Sequence, residues 1–130
     1  MLILTIRTDR PEAEIGLFDD QKKLEYETWY AHRELSTTLH AKLKTLLDLN
    51  GKTWSDVGGI VCFQGPGSFT GLRIGLTVAN AFAYGLGIPI VAAMDEKWIE
   101  EGISHLLNGQ NDSIVLPHYG ANANITLPKK

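Results

Sequence analysis

The chain has 130 residues, 44% hydrophobic and 21% charged, the profile of one ordinary globular domain large enough to build its own core. A formal net charge of −3 excludes the concentrated positive surface that non-specific nucleic-acid binding requires. A single cysteine, Cys62, excludes a disulfide framework, and its place inside an apolar run makes it a core residue rather than a nucleophile.

Hydrophobic periodicity and breaker residues divide the chain into a clear order of elements. Leu2–Thr8 is an apolar strand, and Glu14–Phe18 and Lys23–Tyr30 follow as a hairpin turning at Asp19-Asp20. A helix is predicted from Arg33 to Leu49, with Leu35, Leu39, Leu43, Leu46 and Leu47 on one face and Asn50-Gly51 as its stop. Thr53–Asp56 reads as a capped single turn before a fully apolar strand, Gly59–Phe63. A central helix occupies the seventies and eighties until Gly87 and Pro89 break it, and Pro89–Ala92 is a short fifth strand. Asp95 is placed to cap a third helix carrying Trp98, Ile99, Ile103, Leu106 and Leu107, closed by Asn108-Gly109. Ser113–Leu116 is predicted as a last strand. Residues 1–116 thus form one lobe, and 117–130 an irregular, Gly- and Asn-containing tail. The N-terminus lacks a signal-peptide layout and the apolar stretches stop short of a membrane span, so a cytoplasmic protein with no membrane partner is expected.

The most informative stretch is the turn between the fourth strand and the central helix, Gln64-Gly65-Pro66-Gly67-Ser68-Phe69-Thr70-Gly71-Leu72-Arg73-Ile74-Gly75. Glycines let backbone N–H groups converge, and a helix start favours anions, so Gly65, Pro66, Gly67, Ser68, Phe69 and Thr70 form a candidate nucleotide-proximal loop, with Ser68 as its N-cap. The pattern is not a Walker A loop, because no Gly-Lys-Ser/Thr follows, nor Gly-x-Gly-x-x-Gly, because Thr70 takes the third glycine's place. A plain strand-to-helix turn without a ligand is the competing reading.

The helix after the loop carries a row of small residues, Gly71, Gly75, Ala79, Ala83 and Gly87, spaced by four. Leu72, Leu76, Phe82 and Leu86 make a bulky row beside it, and only Arg73, Thr77, Asn80 and Tyr84 give a polar stripe. A helix apolar over most of its circumference is buried on more than one side, against its own sheet and against either a partner or the rest of its own domain. Under the first alternative a second backbone approaches the small row closely, and Gly75→Leu weakens partner binding while leaving the fold intact.

Three strands followed by helix–strand–helix–strand–helix is the order of a ribonuclease-H-like domain, the lobe shared by actin, sugar kinases and heat-shock ATPases: an α/β fold with a mixed sheet flanked by helices. On the eleven-residue run from Gly65 to Gly75, with the first strand, the Leu-rich helix and Ala79–Ala92 around it, the chain resembles the TsaB (YeaZ) family over residues 1–94. The resemblance implies a non-catalytic scaffold that binds and activates a paralogue, TsaD, in a complex with the ATPase TsaE. That assembly installs threonylcarbamoyl on the adenosine beside the anticodon of tRNA. It implies no catalytic residue, metal site or cofactor on this chain, with ATP and a metal ion on the partner subunits and tRNA reached through the complex. It also implies that the first two helices meet those of TsaD, which makes Leu35, Leu39, Gly71, Arg73, Gly75, Ala79 and Ala83 the candidate partner-interface residues.

The chemistry the chain lacks fits the scaffold that the resemblance implies: TsaD-type relatives carry a His-x-x-x-His metal pair, whereas here Ser36 follows His32 and Lys44 follows His40 at that spacing. Two departures accompany the resemblance. Actin-like ATPases place an Asp near the end of the first strand, where this chain has Arg7, with Asp9 two residues on. The second departure is length: typical family members have another lobe after the first, so an interlobe cleft within a single copy is not expected here. Two other functions remain open beside the scaffold: an autonomous nucleotide-binding ATPase or kinase-like enzyme, and a homodimeric interaction protein.

Overall fold

The computed structural model describes residues 1–31, 34–67 and 69–118. Five strands, β1 (Leu2–Arg7), β2 (Glu12–Asp19), β3 (Lys22–Tyr30), β4 (Gly59–Phe63) and β5 (Ile90–Ala93), form one sheet in the order β3-β2-β1-β4-β5. The first three pair as an antiparallel meander, while β4 runs parallel to β1 and β5 parallel to β4. Parallel pairing demands crossovers, and the helices provide them: α1 (Leu35–Leu49) leads from the meander to β4, and α2 (Phe69–Leu86) from β4 to β5. Helix α3 (Trp98–Leu107) follows. The mixed sheet flanked by helices is the ribonuclease-H-like architecture that the element order predicts.

Alternation along the strands sorts side chains between two cores. Leu4, Ile6, Ile15, Leu17, Ile60, Cys62 and Ile90 face α1 and α2, where all five leucines of the predicted α1 stripe are buried. Ile3, Phe18, Val61, Phe63 and Val91 face Trp98, Ile103 and Leu106 of α3. Burial of each such leucine stabilises the fold by roughly 1.5–3 kcal/mol. Before β4, Thr53 and Asp56 form the expected capping box around a single 3-10 turn, Trp54–Asp56. The Thr53 N–H donates to Asp56 Oδ2 at 2.8 Å, which holds that carboxyl below its ordinary pKa.

Two expectations are corrected. Asp95 does not cap α3: it sits at φ +69°, and Lys97 holds the N-cap position without a side-chain bond. Ser113–Leu116 is not a strand. Its backbone groups are taken by side chains instead of a ladder: the Asn80 amide donates to Val115 O and accepts from Val115 N–H, both at 2.9 Å, and Gln64 Nε2 donates to Leu116 O. Residues of the predicted tail beyond His118 lie outside the described residues, as does Arg33, the predicted start of the first helix.

Thr5 Oγ1, wholly buried on the α3 side, has no hydrogen-bond partner among the described residues. An orphaned hydroxyl costs roughly 1–3 kcal/mol, whereas valine has nearly the same shape and nothing to satisfy. Thr5→Val is therefore expected to raise the urea-unfolding free energy by about 1 kcal/mol; a loss of that size would show that the hydroxyl is bonded in solution.

Candidate functional site

The glycine-rich turn is shaped by what lies under it. β1 ends beneath α2, and Thr8, just past its end and almost wholly buried, donates its hydroxyl to Gly71 O at 2.7 Å. A Cβ at Gly75 would stand 1.9 Å from Thr8 Oγ1, and one at Gly67 would stand 2.5 Å from Asp9 Cβ. Gly65 takes φ +122°, precedes a cis peptide to Pro66, and would place a Cβ 2.1 Å from His118 O. Each of these three glycines is required because another part of the chain fills the space where a side chain would go.

Arg7 and Asp9 form a built pair at the same strand end. Arg7 Nε donates to Asp9 Oδ1 at 2.7 Å and its Nη2 to Oδ2 at 3.2 Å, while the guanidinium lies 3.8 Å from the Phe63 ring centroid. Both side chains are largely buried, Asp9 the more so. The cation at this strand end thus neutralises and orients a neighbouring carboxylate. Across β2, Glu14 accepts from Arg10 and from the Tyr26 hydroxyl, and burial, followed by that bond to Glu14, pushes the Tyr26 phenol well above its usual pKa. Burial likewise raises the Cys62 thiol, which keeps it a protonated core group. Among the described residues no group of three His, Cys, Asp or Glu side chains lies close enough to hold a metal ion. A cavity of ≈ 330 Å³ opens between the strand end and the helices, with Thr8, Arg10, Leu35, Thr70 and Gly71 on its wall.

The candidate interface residues separate into two sets. Leu35, Leu39, Ala79 and Ala83 are buried in the chain's own core, and Gly75 is sealed against Thr8. Gly71 is half-buried with its carbonyl engaged, and Arg73 alone of the seven is exposed. The small-residue row therefore faces inward, because α2 must pass close over β1 and beside α1; a larger residue at Gly75 acts on the fold first. Of the loop residues, Gly65 is buried, Gly67 half-buried, and Pro66 and Thr70 exposed. Ser68, with its predicted capping role, and the side chain of Phe69 lie outside the described residues.

What α1 and α2 offer to solvent is a different stripe. A groove of ≈ 420 Å³ runs between them, lined by Ser36, Thr70, Arg73, Ile74, Thr77 and Val78. Farther along, His40 packs on Phe82 with ring centroids 5.0 Å apart, and Phe82 stacks on Trp54 at 4.3 Å. Tyr84 is 92% exposed. Arg73 is the sole charged side chain of α2 and makes no ion pair or hydrogen bond among the described residues. Sequence reasoning missed Asn80 as a structural clamp, although an amide in so apolar a helix is the available signal.

A family model described as TsaD, tRNA N6-adenosine threonylcarbamoyltransferase, matches residues 29–105, more than half of the chain. The tRNA threonylcarbamoyladenosine biosynthesis protein TsaB of Escherichia coli is 31% identical over 107 residues, covering 78% of this chain and 44% of that protein. Its Bacillus subtilis counterpart is 32% identical over 122 residues, covering 93% and 51%. Among solved structures, YeaZ from Pseudomonas aeruginosa superposes with a TM-score of 0.66 at 29% identity, over 72% of this chain and 44% of that one. The chain belongs to the TsaB/YeaZ family. Its kinship extends to TsaD itself: the tRNA N6-adenosine threonylcarbamoyltransferase of Ralstonia pickettii is 32% identical over 108 residues, covering 71% of this chain and 31% of that enzyme. Thermus thermophilus RuvC, at 13% identity and a TM-score of 0.52, shares the fold alone. The chain spans about half the length of the curated TsaB relatives it matches.

Two variants test the site's construction. Gly75→Ala is expected to destabilise by about 1–3 kcal/mol through the clash with Thr8, and the added change Thr8→Ala to recover part of that loss. Additive losses in chemical denaturation would dismiss the contact. Arg7→Ala, which strands the buried Asp9 carboxylate, is expected to cost roughly 3 kcal/mol, and Arg7→Ala with Asp9→Asn distinctly less than the single change.

Proposed function

We propose that this chain is a non-catalytic scaffold that binds and activates a TsaD-like paralogue in the threonylcarbamoylation of the adenosine beside the anticodon of tRNA. In this reading the docking surface is the exposed outer face of α1 and α2. The observation that carries it is the chemistry of that face: α2 presents no carboxylate and one cation, and the groove beside it is walled by small polar and branched side chains. Depletion of charge around a central arginine is the composition of interface cores, whereas solvated helix faces carry charges of both signs. The other exposed elements have that mixed character: β3 carries Lys22 and Lys23 followed by Glu25 and Glu27, α3 carries Glu100 and Glu101 near Lys97, and α1 carries the Lys44–Asp48 pair, so the depletion belongs to the α2 stripe.

Kinship to both TsaB and TsaD supports a paralogous pairing, in which related helix pairs meet face to face. The glycine-rich turn belongs to the scaffold in this account, since its glycines accommodate Thr8, Asp9 and His118. ATP, a metal ion and a TsaE-like ATPase then belong to the other subunits, tRNA is reached through the complex, and the assembly is cytoplasmic.

The test is reconstitution of threonylcarbamoyl transfer to tRNA with a TsaD-like paralogue, a TsaE-like ATPase and a threonylcarbamoyl-adenylate supply. Omitting this chain is expected to lower product formation at least tenfold, while the chain alone turns over no ATP. Undiminished product without it, or ATP hydrolysis by it alone, overturns the scaffold reading. Thr77→Arg, which places a bulky charge on the groove wall from an exposed position, is expected to weaken paralogue binding roughly 10- to 100-fold in calorimetry while the melting profile is kept.

A further inference from the structure

We infer that residues 112–116 are a strand held in reserve, with two resting places: the observed strap against α2, and a parallel strand alongside β5. Asp112 and Ser113 decide between them, and the choice governs whether the glycine-rich turn stays latched.

The β5 edge already carries the beginning of the second place. Pro89 O and Ala93 O accept from the Ile60 and Gln64 N–H groups on the β4 side, so Ile90 and Ala92 turn their backbone groups outward. The Asp112 N–H donates to Ile90 O at 2.8 Å, the first bond of a parallel bridge opposite Val91. The second bond of such a bridge runs from the Ala92 N–H to the Asp112 carbonyl. Here the Asp112 carboxylate takes that N–H instead, at 2.9 Å, and the displaced carbonyl accepts from the Ile114 N–H at 2.7 Å. Ser113 then turns the chain away at φ +66°, a left-handed conformation that side-chain-bearing residues rarely adopt.

Beyond that point side chains hold the strap. The Asn80 amide grips both backbone groups of Val115, Gln64 Nε2 donates to Leu116 O, and the His118 N–H donates to Gln64 O. The last bond ties the strap to the glycine-rich turn, where His118 O fills the space a Gly65 side chain would need.

The side chains suit either place. Val115 is buried in the core beneath α1 and α2, while Ile114 is 65% exposed. Alternation from Asp112 keeps Val115 on that side of the sheet and lays Ile114 beside Ala93, on the α3 side. Pairing covers an apolar side chain that the strap leaves in water, and gives up the Asn80 and Gln64 bonds in return. The two arrangements differ at the Ser113 backbone and in which Asp112 oxygen serves Ala92, which makes the segment a two-state element.

Residue-resolved amide exchange of the full chain tests this, because the two places protect different N–H groups. In the strap Ala92, Val115 and His118 are all bonded. In the paired form Ala92 stays bonded and the other two are released. The double change Asp112→Ala with Ser113→Val removes the competing carboxylate and disfavours the positive φ. It is expected to speed Val115 and His118 exchange at least ~10-fold and Ala92 by less than about threefold, with a coupling across the hydrogen bond from the Ala92 nitrogen to the position-112 backbone carbonyl carbon. Asn80→Ala loosens the strap from its other side; it is expected to give the same pattern and serves where the double variant does not fold. If Ala92 accelerates together with Val115 and His118, the segment merely detaches and the paired state falls. If neither variant moves Val115 and His118, or a folded double variant fails to while Asn80→Ala does, Asp112 and Ser113 do not decide the placement and the inference falls.

Discussion

The passage of the first strand's end beneath the central helix sets the terms for everything else in this molecule. Thr8 holds Gly71 through a 2.7 Å hydrogen bond, and Gly75 and Gly67 leave the room that Thr8 and Asp9 occupy. That contact brings α2 down onto the sheet, fixes which of its faces is inside, and so decides which residues remain to meet another molecule. The glycines of the turn make room for this backbone packing, and Arg7 and Asp9 satisfy one another at the same spot.

Turning α2 inward on its small row leaves a narrow outer stripe with a distinctive chemistry. The helix has apolar residues to spare, but its exposed positions are Thr70, Arg73, Thr77, Ala81, Tyr84 and Gly85, with Ile74 at the edge. Beside it α1 contributes Ser36 and His40. In the proposed reading this face meets a related subunit, and the low charge of the α2 stripe is the physical basis of that proposal.

Most of the architecture is legible in the amino-acid sequence. The five strands and three helices follow from period-2 and period-3.6 patterns that tertiary packing reinforces, and Leu35 to Leu47 occupy the core face assigned to them. The exceptions have particular causes. Ser113–Leu116 has the composition of a strand, but Asn80 and Gln64 capture its backbone from outside any ladder, and side-chain capture leaves no periodic trace. Asp95 has a capping residue's chemistry but an αL backbone, two residues ahead of the position it would have to hold. The division of α2 into inner and outer faces escapes sequence reasoning for a deeper reason: small residues permit close approach to any backbone, and spacing alone does not say whose. Only the register of β1 under the helix answers that.

At the β5 border, outward N–H groups are met by side-chain oxygens, Asn111 Oδ1 at Ile90 and Asp112 Oδ2 at Ala92, while the Asp112 N–H donates to Ile90 O. Two short polar side chains thereby do the work of a sixth strand and close that border to foreign chains seeking a template for pairing. The hairpin border at β3 guards itself differently, with charges along its length: Lys22, Lys23, Glu25 and Glu27. With both margins defended in this way, growth of the sheet from one copy into the next is discouraged from either end.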